Sequence, residues 1–225
     1  MLRMMPNAAN AGLNGIIEAA MRRCLHLAIN SIETSSRHPP ATGMSSLLVG
    51  INGGVSGFFG LAALPIELPV TTMLMLRAIA DTARHQGEDL TRLEARLACL
   101  EVFALGARAP RQRMDVGYYA CRMMLSKLAS NASIYLVERG VPSAAGAPVV
   151  NSLVTEIASR FGVVVSERFA AGALPVLGAV GGATVNVIFM NHFQRIARGH
   201  FTIRRLERIY GREVIERHYE DLSLR

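Results

Sequence analysis

Between residues 12 and 36 the apolar side chains Ile16, Ile17, Ala20, Cys24, Leu27, Ala28 and Ile32 recur at helical spacing, which predicts one amphipathic helix. Residues 1–11 read as a flexible N-terminus before it, and residues 12–225 as a single helical domain. His38-Pro39-Pro40 ends the helix, because proline lacks an amide donor and turns the residue before it away from helix. The pattern then changes. From His38 to Ile66 there are 29 residues without Asp, Glu, Lys or Arg, more than the roughly 20 that a membrane-spanning helix requires. Gly50 and Gly54, and Gly53 and Gly57, are i,i+4 pairs, a small-residue stripe on which a partner helix can approach closely. Membrane contact and a buried helical core both use this device, and the sequence leaves the choice open.

Pro65 and Pro69 bracket Ile66-Glu67-Leu68 and predict a break, with the next helix starting at about Pro69 and closing at Gly87. Thr91-Arg92-Leu93-Glu94 has the form of a capping box, Thr91 at N-cap and Glu94 at N3, opening a helix to about Leu105. Asp115 predicts the N-cap of a helix to Glu138, stopped by Gly140; Asn151 or Ser152 predicts the cap of a helix to about Arg168. A second apolar segment, Phe169 to Asn191, repeats the small-residue spacing in Gly178 and Gly182. It carries Ala-Leu-Pro at 173–175, as the first segment does at 63–65. An Arg-rich tail with helical spacing follows. No stretch alternates with period two in β-branched residues, so the fold class is all-α. The expected architecture is a helical bundle with two Gly/Pro-containing apolar hairpins at its centre and amphipathic helices around them.

Composition narrows the function classes. The chain is 51% hydrophobic and 18% charged, more apolar than an ordinary soluble domain and less so than a polytopic membrane protein. Its formal charge of +7 invites acidic lipid or nucleic acid as a partner. However, all the basic residues but Lys127 are arginines, a bias that GC-rich coding alone produces. Acids interleave with the arginines of the tail, and aromatics suited to base stacking are few, which argues against nucleic acid. Cys24, Cys99 and Cys121 form no CxxC pair and read as reduced core cysteines in a cytoplasmic chain. The opening MLRMMPNAANAGLNG lacks the apolar core of a signal peptide.

The run LPIELPVTTMLMLRAIADTARHQGEDL, then ARLACLEVFALG, then ALPVLGAVGGATVNVIFMNHFQRIARGHFTIRRLERIYG resembles the EcsC protein family, in order from about Gly50 to the C-terminus. The resemblance implies a bacterial helical protein with membrane association and a transporter as a candidate partner. It transfers no catalytic or ligand residue.

The polar residues in or beside the apolar segments are Glu67, Arg77, Asp81, Arg84, His192, Arg195 and His200. An isolated buried carboxylate costs several kcal/mol, so Glu67 is expected either to reach solvent or to meet an Arg or His. Such a cluster serves either as a ligand or proton-active site or as an ion pair that fixes helix register. His192 and His200, eight positions apart, lie about 80° and about 12 Å apart on a continuous helix, too far to share a metal. No HExxH, GxSxG or GxxxxGK[ST] occurs, so no metal, cofactor or catalytic residue is assigned.

The uncharged segments and basic flanks point to a non-enzymatic accessory protein at the cytoplasmic face of a membrane, with lipid or a membrane protein as partner. The alternative is a soluble helical enzyme or small-ligand-binding protein with a pocket where Glu67, Arg77, Asp81 and His192 converge. A homo-oligomeric interaction module built on the glycine stripe is the third reading.

Overall fold

The computed structural model describes residues 7–30, 64–107, 114–140, 146–172 and 178–223. They form seven helices and, among the described residues, no strand: α1 (Asn7–Asn30), α2 (Leu64–His85), α3 (Leu93–Leu105), α4 (Met114–Arg139), α5 (Pro148–Gly172), α6 (Gly178–Tyr210) and α7 (Arg212–Ser223). The chain is all-α, as its periodicity indicated. The first glycine stripe (Gly50, Gly53, Gly54 and Gly57) lies outside the described residues. Gly178 and Gly182 lie in the first turns of α6.

The shortest of the helices but one sits in the middle. α3 packs against α1, α2, α4, α5 and α6. Ala95 and every residue from Leu97 to Ala104 are buried, and all of them but Glu101 are apolar, as suits a helix enclosed by others. Phe103 of α3 meets Phe161 of α5 at 5.1 Å and Phe193 of α6 at 5.5 Å between ring centroids. Phe189 closes this aromatic group against Phe161 and Phe193.

Several helix starts move from where local signals put them. α1 begins at Asn7, inside the stretch expected to be flexible, because Ala8, Ala9 and Ala11 are good helix formers. α2 begins at Leu64 and contains Pro69. A proline this early costs one hydrogen bond near an end where several amides have no intrahelical acceptor anyway. α4 begins at Met114, one residue before the expected cap Asp115. α5 begins at Pro148, a favoured first-turn residue, rather than after Asn151 or Ser152. Ser152 instead donates from Oγ to the Pro148 carbonyl at 2.8 Å, and Asn151 Oδ1 accepts from Arg22 at 2.8 Å.

The capping box also resolves differently. The N-cap of α3 is Arg92, with no side-chain cap bond. Thr91 Oγ1 donates to Asp89 Oδ1 at 2.6 Å, and the Thr91 amide to the same oxygen at 3.0 Å. A charged carboxylate two residues upstream outcompetes the backbone amides for that hydroxyl. At the end of α2 the expected Gly87 does close the helix, with φ +79°. Its amide donates to Arg84 O and the Glu88 amide to Ala83 O, the paired bonds of a Schellman motif. That motif places Glu88 where the next helices can reach it.

α2 and α6 run parallel and are tied near both ends. Asn186 of α6 contacts Glu67 in the first turn of α2, while Arg204 and Arg208 contact Glu88 just beyond its last turn. The ends of α2 and α6 that adjoin the uncharged segments therefore lie together. The ion pairs that join α2 to α6 gather at the opposite end.

Candidate functional site

At the charged end, the α2–α3 corner, α4 and the last turns of α6 enclose a half-open cleft of about 340 Å³. Its walls include Glu88, Asp89, Arg92, Arg122, Arg204, Glu207 and Arg208. Arg204 spans Glu88 with Nε to Oε1 at 2.8 Å and Nη2 to Oε2 at 3.0 Å. Arg208 donates to the same carboxylate and, at 2.6 Å, to the Gln86 carbonyl at the end of α2. One carboxylate thus holds two arginines one turn apart on α6. Burial works to raise the Glu88 pKa, yet the bonds from Arg204 and Arg208 hold it below the ordinary carboxylate value.

The opposite wall is a second two-pronged pair. Arg122 of α4 donates to Glu207 Oε1 at 2.6 Å and Oε2 at 2.5 Å, and both side chains are nearly buried. Tyr119 adds its hydroxyl to Glu207 at 3.3 Å. Arg122 lies about 6 Å from the Tyr118 and Tyr119 rings, within reach of a cation–π contact. Tyr219 of α7 packs against both rings at 5.4 and 5.3 Å, which fastens α7 to α4.

Behind the cleft stands Glu101. It lies on α3, is 2% exposed, and its Oε2 has no hydrogen-bond partner among the described residues. Burial pushes its carboxyl up to about 7 against the pull of Arg204 and Arg122, with Glu88 adding to the rise. His200, 2% exposed on α6, contacts the Tyr118 hydroxyl through Nδ1 at 3.1 Å, and its Nε2 has no partner among the described residues. Burial, then the fields of Arg204 and Arg122, hold it well below the ordinary histidine value, so it is neutral. The thiols of Cys24 and Cys99 are pushed up by burial and stay protonated, as inert core cysteines do.

The polar residues singled out in the sequence go to several places. Asp81 and Arg84 pair at 3.0 Å on α2. Glu67 is buried and accepts from Asn186 Nδ2 at 2.9 Å. Asn186 is one partner of Glu67. The parallel register sets the uncharged half of α6 against the start of α2, and the helix N-terminus itself favours a carboxylate there. His192 contacts the Gly106 carbonyl through Nε2 at 2.9 Å. Arg77 and Arg195 are exposed. None of the seven lines the cleft, although His200 lies behind it and the Arg84 carbonyl accepts from Gly87 in its wall. Glu67, Arg77, Asp81 and His192 do not line this cleft, and among the described residues no three His, Cys, Asp or Glu side chains form a metal set.

Sequence reasoning missed Glu88, Glu101, Arg122 and Glu207. Glu101 was the findable one: it is the only charged residue between Leu97 and Leu105 in an otherwise apolar run.

The fold and this cleft define an all-α bundle with an arginine–carboxylate cleft at one end. The family model of the EcsC protein family matches residues 16–206, and the chain belongs to that family. The match begins within α1, ahead of the quoted motifs, and ends before α7. Neither a curated protein nor a solved structure matches the chain.

Proposed function

We propose that this EcsC-family chain is a non-enzymatic accessory protein that works against the cytoplasmic face of a membrane. The carrying observation is the polarity of the bundle. Ile66 and Ile188 are exposed at 75% and 61% on the ends of α2 and α6 that adjoin the uncharged segments. Val163, half exposed on α5, lies near the same level, since Phe161 packs on Phe189. Charge concentrates at the far end, in the arginine–carboxylate cleft. An apolar end beside uncharged chain suits lipid, and a charged end suits water or the soluble face of a membrane protein such as a transporter. One described helix, Pro148–Ser166 within α5, has the length and composition to cross a bilayer, and it packs on α1, α3, α4 and α6.

Fractionation of cells producing the chain tests this reading. The expected result is recovery with membranes at low salt and release by detergent. Complete recovery in the soluble fraction at low salt, without detergent, overturns it.

A further inference from the structure

Behind the cleft lies a buried acid that, among the described residues, forms no ion pair. Glu101 faces charge from three directions: Glu88 from the α2–α3 corner, Arg122 from α4 and Arg204 from α6. The two other helices that pack on α3 bring no charge among those that act on it. α5 meets α3 through Phe161 on Phe103, and α1 offers the Ile29 carbonyl, which accepts from Arg96 at 2.6 Å. The nearby Cys99 and Cys121 thiols have raised pKa values and are uncharged, as is His200. Each arginine beside Glu101 is already clasped by another carboxylate, Arg204 by Glu88 and Arg122 by Glu207. These clasps hold the end of the molecule together. Glu207 and Tyr219 meet at Tyr119, which joins the last turn of α6 to α7, whose remaining surface is mostly exposed.

We propose that Glu101 is a proton-operated lock on the cleft, in which ionisation of its carboxyl competes with Glu88 and Glu207 for Arg204 and Arg122 and releases α7. With Glu101 protonated, both arginines stay on their surface carboxylates and the cleft is closed, as the structure has it. With Glu101 ionised, a bare buried charge draws the nearest guanidiniums inward, because the low-dielectric interior makes an unpaired carboxylate costly. The Glu207 clasp then slackens, and α7 loses its anchor on Tyr118 and Tyr119. A carboxyl that titrates near 7 populates both forms around neutral pH. The lock operates wherever in the cell the chain works.

Hydrogen exchange of residues 207–222 between pH 5.5 and 8.5, corrected for the intrinsic pH dependence of exchange, tests the lock on the full chain. Wild-type protection is expected to fall about tenfold per pH unit above the midpoint, the slope of a single titrating group, and Glu101→Gln is expected to abolish that fall. A flat wild-type profile, or a fall that persists in Glu101→Gln, overturns the proposal. Should that variant not fold, Glu88→Gln decides. Removing the like charge and freeing Arg204 moves the midpoint down by about one unit or more. An unmoved midpoint overturns the lock.

Discussion

Gly106 lies directly under the ring of Phe193: a Cβ on residue 106 would stand 2.3 Å from Phe193 Cε1. The ring cannot swing aside, because Phe103, Phe161 and Phe189 pack around it. The Gly106 carbonyl meanwhile accepts the His192 contact from the neighbouring position of α6. A glycine expected only to end a helix is therefore a point of close contact between the end of α3 and α6. Its φ of −71° is ordinary, so space and not backbone freedom demands glycine there.

Gly106→Ala is accordingly expected to destabilise the chain by about 1–3 kcal/mol through overpacking. Urea denaturation measures it. Adding Phe193→Leu should recover part of that loss, whereas strictly additive costs would mean that the methyl group finds room elsewhere.

The Arg122–Glu207 pair is nearly buried, so breaking one side leaves an uncompensated charge. Glu207→Gln should cost about 3 kcal/mol, while Arg122→Leu with Glu207→Leu together should cost much less. Comparison of the three unfolding free energies at one pH checks this, and equal costs for single and double variants would contradict it.

Stability should respond to pH through two buried groups of opposite sign. The folded-state pKa of Glu101 is raised from an ordinary 4.5 to about 7, so its contribution is full below pH 4.5 and is lost as the pH rises through 7. The pKa of His200 is held well below 6.5, so its contribution is full above pH 6.5 and is lost as the pH falls. Between 4.5 and 6.5 the two slopes, each at most about 1.4 kcal/mol per pH unit, oppose one another. Over that window Glu101→Gln should become more stable, relative to wild type, as the pH rises. His200→Gln should show the reverse. Denaturation series at four pH values between 4.5 and 7.5 measure both.

If the uncharged end of the bundle meets lipid, Ile66→Asp and Ile188→Asp should weaken binding to vesicles of phosphatidylglycerol and phosphatidylethanolamine. A charge moved from water to the apolar part of an interface costs a few kcal/mol, enough for a more than tenfold loss. Flotation of the purified chain measures it. Arg77→Ala, exposed on α2, serves as the control that should leave flotation unchanged.

The periodicity of apolar residues by itself determined the all-α class, and Gly87 and Gly140 marked two helix ends, because these are properties of a few neighbouring positions. The quoted motifs likewise carried the family. Helix starts were less legible. Pro69 and Thr91 sent strong local signals, but helix-end energetics and the charge on Asp89 overrode them. The partners of the polar residues were not legible at all. Glu67 meets Asn186 across 119 positions, and Glu88 meets Arg204 across 116. Those pairings follow from α2 and α6 lying parallel around α3, which no local pattern states. Glu101 shows the division most sharply. The sequence placed one acid in an apolar helix, but only the tertiary structure enclosed that helix on five sides, and enclosure is what lifts the carboxyl into the neutral range.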